Sequence, residues 1–243
     1  MTYMLRALIV LLLIALINLG PGIAKADLLE WQSNNIQLLH GSGFDLADNT
    51  QQTTFTFEHV NGWKYGDNFF YIDNVFGHDN EINAEWSPRL SLSKMTGYDF
   101  SHGIVQDVLL SGTWEKGRNF DVYLLGGAID LDLPGFNFFQ MNFYNRNNPH
   151  IEGHGWQTTF VWSRPFEIGK SKWSFDGYFD YADYEEGVKN FFTQPQLLLD
   201  VGHSLGYGEG KAYVGLEWRY WDNKYGVDGI SENAPQAMMK WVF

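Results

Sequence analysis

Acids and aromatic rings recur at every second position in several stretches of this 243-residue chain. Phe69, Tyr71 and Asp73 form one such set; Asp176, Tyr178 and Asp180 form another; Tyr213, Glu217 and Arg219 a third. Glu85 and Arg89 share a face in a fourth. Alternation puts each set on one side of a β-strand. Rings offer stacking faces to a planar solute, worth about 1–3 kcal/mol per base in single-strand binders. Carboxylates accept hydrogen bonds from hydroxyls, and the charge roughly doubles such a bond's strength. The eleven residues therefore suit weak, sequential contacts with a small polar aromatic solute that must enter and also leave. Thr54, Thr56, Glu58, Asp107 and Lys240 fall on the same side by parity. The bland use of the same charges is structural: Arg89 or Arg219 pairing with Glu85, Glu217 or Asp73 across strands.

Other constellations are weaker. His40-Gly41-Ser42 has the one His-x-Ser spacing that would let a base and a nucleophile share a strand face, as a lipase would need. It runs into a Gly-rich loop with no evident orienting partner. His150-Ile151-Glu152-Gly153-His154 offers two imidazoles and a carboxylate, but a fourth ligand is not indicated, so no metal site is assigned. Asp183-Tyr184-Glu185-Glu186 could hold Ca²⁺ weakly or bridge lipopolysaccharide through divalent ions; a solvated tip is the simpler reading. With no cysteine, disulfide and thiol chemistry are excluded. No cofactor is implied.

The elements that must position these residues have period two. Ile82, Ala84, Trp86, Pro88, Leu90 and Leu92 oppose Asn83, Glu85, Ser87, Arg89, Ser91 and Ser93. Trp173, Phe175 and Phe179 oppose Ser174, Asp176 and Asp180, and Val214, Leu216 and Trp218 oppose Tyr213 and Glu217. Turn signals such as Asn61-Gly62, Pro134-Gly135 and Asn148-Pro149 separate them. The predicted strands are 29–40, 51–60, 67–77, 82–93, 104–115, 119–131, 136–146, 155–164, 171–181, 193–203, 211–221 and 234–243. Twelve is an even number, as a closed bacterial barrel requires. Pro88 and Pro195 fall inside strands, where a missing N–H predicts local bulges or strand boundaries lying elsewhere.

One face of these strands carries too many large rings for a small interior. The chain has 10 Trp, 13 Tyr and 19 Phe, yet polar residues interrupt every apolar stretch after the first. Rings outward and polar groups inward fit a transmembrane antiparallel barrel, with lipid on its outer face. The chain ends Ala237-Met238-Met239-Lys240-Trp241-Val242-Phe243, an alternating segment that stops on a ring. Termini normally fray into water; an apolar closing strand held by lipid need not. At the other end Arg6, the apolar run Ala7–Ile17 and Ala24-Lys25-Ala26 read as a secretory signal peptide over 1–26. One barrel domain over 27–243 remains. Its net charge falls from −13 to −15 once Arg6 and Lys25 are removed, which argues against nucleic acid as a partner. With both ends in the periplasm, 41–50, 147–154, 182–192 and 222–233 are expected outside the cell.

Five segments, in order along the chain, resemble one family. They are Trp86-Ser87-Pro88-Arg89-Leu90-Ser91 with Val105-Gln106-Asp107, Leu131-Asp132-Leu133-Pro134-Gly135-Phe136, Gly155-Trp156-Gln157-Thr158-Thr159, and Phe175-Asp176-Gly177-Tyr178-Phe179-Asp180-Tyr181. They resemble the Tsx-like/OmpK outer-membrane channels. The resemblance implies a twelve-stranded monomeric barrel, set in outer-membrane lipid and lipopolysaccharide, that passes small polar solutes such as nucleosides. The runner-up is a plugged structural or receptor barrel acting through its outer loops, as a phage or colicin receptor.

Overall fold

The computed structural model describes residues 28–44, 51–77, 80–118, 120–184 and 187–243. The signal peptide expected over 1–26, and Glu185-Glu186 of the acidic loop, lie outside these residues.

The strands are β1 (Leu29–Ser42), β2 (Gln51–Trp63), β3 (Gly66–Phe76), β4 (Glu81–Ser91), β5 (Val105–Lys116) and β6 (Asp121–Leu131). There follow β7 (Phe138–Asn147), β8 (Gly155–Ile168), β9 (Ser171–Asp183), β10 (Lys189–Thr193), β11 (Gln196–Asp200), β12 (Ala212–Asp222) and β13 (Glu232–Val242). Each pairs antiparallel with its neighbours, and β13 returns to β1. The segments β10 and β11 lie end to end between β9 and β12, so twelve strands surround a closed barrel. Closure leaves no exposed edge. Phe243 helps to lock it: its N–H donates to the Asn34 carbonyl (2.9 Å), and its carbonyl accepts from the Asn34 N–H (3.2 Å).

The pleat sorts the side chains as the alternation requires. On β13, Ala237, Met239 and Trp241 point out while Gln236, Met238 and Lys240 point in. Outward rings gather near both rims. Trp241 marks the end carrying the termini; Trp114 and Trp156 mark the opposite end. That two-belt pattern suits a bilayer with an interface on each side. Among the described residues no helix is long and apolar enough to cross a membrane.

The two prolines do not make bulges. Register on β4 is unbroken across Pro88 (Asn68↔Pro88, Trp86↔Trp114, Arg89↔Ser111), and only the β5 ladder thins there. Pro195 divides β10 from β11 but keeps register, with Thr193↔Phe179 before it and Gln196↔Asp176 after. Gly177 opposite has φ 150°, and a Cβ there would sit 2.8 Å from the Gln194 carbonyl oxygen. The missing N–H is thus absorbed by close backbone approach rather than by an extra residue. Bulges occur instead between Leu29 and Trp31 and between Val105 and Asp107.

Two helical turns replace expected strand ends. In α1 (Leu92–Thr96) the Ser91 hydroxyl accepts from the Lys94 N–H, and Gly97 closes the turn at φ 74°. In α2 (Val201–Leu205) the Asp200 carboxylate accepts from His203, and Gly206 closes it at φ 76°. These are ordinary N-cap and C-cap chemistries, and they end the predicted strand 193–203 at Asp200.

Candidate functional site: the lumen

All eleven candidate residues line one cavity of about 1300 Å³ inside the barrel. So do Thr54, Thr56, Glu58, Asp107 and Lys240. The cavity reaches the end carrying the termini, where exposed Asp99, Ser101 and Lys94 border it.

Near that end, Arg89 is clamped by two carboxylates. Its Nε and Nη2 donate to Asp67 (2.9 and 2.7 Å), and its Nη1 and Nη2 donate to Asp130 (2.7 and 3.1 Å). Sequence parity had offered Glu85 or Asp73 as partners. Register decides otherwise, because Asp67 lies directly opposite Arg89 on β3. Nearby, Asp107 accepts from the Ser91 and Ser93 hydroxyls.

Higher in the lumen the carboxylates are held by neutral donors. Asp73 accepts from Thr56 (2.6 Å), Glu85 from Ser87 (2.5 Å) and Asp180 from Thr159 (2.5 Å). Glu58 accepts from the amides of Asn35 (2.8 Å) and Gln37 (3.2 Å). Glu217 sits among three amides, Gln194 (2.8 Å), Gln196 (2.8 Å) and Gln236 (3.0 Å). Glu85 and Glu115 are directly opposite on β4 and β5.

The rings share this level. Phe69 and Tyr71 lie 6.0 Å apart on β3. Tyr178 meets Phe192 edge-on and donates its hydroxyl to Gln194. Tyr213 packs lower, against Leu39, Leu198 and Met238. Asp176 accepts from Ser174 (2.5 Å).

Beyond Arg219 the lumen is filled, among the described residues, by buried Phe44, Val122, Trp221, Lys224 and Glu232. Arg219 pairs with Glu232 (3.0 Å) rather than with Glu217, without the alignment of a hydrogen bond. Glu232, only 1% exposed, also takes the Lys224 ammonium. Burial, with Arg219 beside it, holds that ammonium below its ordinary range. Asn223 and Tyr225, flanking Lys224, both adopt left-handed backbone (φ 51° and 57°). The loop is thus bent sharply where it seats its lysine.

Several lumen residues escaped the sequence reading. Glu115 shares parity with Asp107 and could have been found; Asp67 shares parity with Phe69. The three glutamines carry no charge to attract notice. Conversely, His40 and Ser42 lie on the outer face, and the His40 ring bonds to Thr53 (2.9 Å). Tyr184 of the acidic loop lies 4.1 Å from the Arg146 guanidinium.

The profile of the family described as nucleoside-specific channel-forming protein, Tsx, matches residues 26–241. Outer membrane protein OmpK of Vibrio parahaemolyticus is 25% identical over 154 residues, covering 62% of this chain and 58% of that protein. The chain therefore spans less than two thirds of that relative's length. Among solved structures, a KdgM porin in complex with disordered oligogalacturonate aligns with TM-score 0.52 at 7% identity. That alignment covers 87% of this chain and 99% of the porin. The NanC porin aligns with TM-score 0.50 at 11% identity, covering 86% and 98%. At such identities these two share the fold alone.

Proposed function

Because the chain belongs to the Tsx family of channel-forming proteins of the bacterial outer membrane, we propose that its lumen passes small polar aromatic solutes by selective passive diffusion, nucleosides foremost. The observation that carries this reading is the lumen cavity of about 1300 Å³, with rings and hydrogen-bonding acids interleaved along its wall. Tyr71, Phe69 and Tyr178 offer faces for a base, and the acids accept from ribose hydroxyls. Diffusion down a gradient needs neither cofactor nor energy source. Lipid and lipopolysaccharide surround the outer face, and the barrel works as a monomer. The oligogalacturonate of the KdgM porin complex is a polyanion, which an acidic lumen disfavours, so that ligand is not carried over.

Replacing Tyr71, Tyr178 and Tyr213 together with Ala tests the reading. Each stacking face removed forfeits on the order of 1 kcal/mol of solute contact. Uptake of labelled adenosine into proteoliposomes should therefore lose its advantage over a neutral sugar of similar mass. An unchanged adenosine-to-sugar ratio in a folded variant would remove the rings from solute recognition. A second reading, a barrel acting through its outer loops, draws on the buried side chains that fill the far end. Under it the same variant leaves loop-mediated binding intact and alters no flux.

A further inference from the structure

We propose that the lumen is a cation-selective filter, with Asp73, Glu85, Asp180 and Glu217 as its determinants. The inference rests on the channel reading above and goes beyond it, since neutral solutes do not report charge selection.

Two independent observations carry it. The first is charge distribution. Among the described residues, twelve acidic and four basic side chains line the cavity, a formal excess of eight negative charges. Nor is the excess cancelled locally. Arg89 is already committed to Asp67 and Asp130, and Arg219 to Glu232. Among the described residues, Asp73, Glu85, Asp180 and Glu217 have no Lys or Arg within ion-pair distance. Their partners are hydroxyls and amides. Neutral donors fix the direction of a carboxylate while leaving its charge in the lumen.

The second observation is an orphaned acceptor. Gln236, 3% exposed, lines the same cavity and gives its amide nitrogen to Glu217. Its carbonyl oxygen has no partner among the described residues. A buried acceptor without a donor is unfavourable, and beside Glu217 it adds a further oxygen, and no donor, to this part of the cavity wall. Rings of Asp and Glu select cations in other pores, and a low-dielectric wall of one sign focuses the field.

The test is the reversal potential of the full mature chain in planar bilayers across a KCl gradient, at about pH 8, well above the ordinary carboxylate range. The wild-type channel should favour K⁺ over Cl⁻ by about tenfold, the low end of such field effects. The isosteric variant Asp73→Asn/Glu85→Gln/Asp180→Asn/Glu217→Gln should conduct with that ratio reduced at least about threefold. Should the fourfold variant fail to fold, Glu85→Gln and Glu217→Gln singly should each lower the ratio. A wild-type ratio at or below one, or a ratio unmoved by the substitutions, would overturn the filter while leaving the channel standing. Folded barrels that never conduct would overturn the channel reading itself, and the filter with it.

Discussion

Arg89→Met should lower the unfolding free energy of the barrel by about 3–5 kcal/mol, the cost of breaking a buried charge pair from one side. The guanidinium is 5% exposed and carries four hydrogen bonds to two carboxylates on β3 and β6. Without it, Asp67 and Asp130 face each other with no cation between them. Lumen water reaches both acids in part, since their side chains remain 25% and 20% exposed, so the lower end of the range is expected. Equilibrium urea unfolding in lipid vesicles, followed by tryptophan emission, measures the change. Adding Asp67→Asn and Asp130→Asn to Arg89→Met should recover much of the loss, because the stranded charges go with their partner. A loss under about 1 kcal/mol for Arg89→Met would mean the clamp is no more than a solvent-screened pair.

Leu125→Arg should cost about 2–4 kcal/mol, the penalty for a cation on the lipid face near the midplane. Leu125 sits at the middle of β6 and is 74% exposed, the highest exposure among the large apolar residues. In water such a leucine would welcome a charge. In a bilayer it cannot. The contrast is Gln140→Arg on the neighbouring strand β7. Gln140 lies opposite Asp130 and lines the cavity, so a cation there meets acids and water, and a cost below about 1 kcal/mol is expected. Equal costs at the two sites would invert or erase the inside and outside assigned here.

The outcome of the two substitutions is readable from sequence only in part. Parity alone separates Leu125 from Asp130, and the eleven residues it groups all line the cavity. The alternation at 237–243 likewise foretold the closing strand, because the pleat has a fixed period of two. Parity says nothing of register, however. The partner of Arg89 depends on which β3 residue stands opposite it, and Asp67, which shares parity with Asp73, is singled out only by register. Neutral side chains were lost for a different reason. Gln194, Gln196 and Gln236 come from three separate segments and gain meaning only when the barrel gathers them around Glu217. The cap signals Asp200 and Gly206 were present but were overridden by the strand pattern that leads into them. The far end was hidden most deeply. Phe44 and Lys224 lie beyond the strands, and nothing periodic reports that their side chains turn inward to fill the mouth.

Whether the cavity conducts is tested most directly by the swelling of liposomes that hold the refolded barrel, with adenosine compared against a neutral sugar of similar mass. Fast swelling in adenosine and slow swelling in the sugar is the expected result, since only the nucleoside can stack on Tyr71 and Tyr178. No swelling in either solute, with the barrel shown to be folded by its resistance to unfolding without heat, would contradict the channel and leave the filled far end as the dominant feature of the molecule.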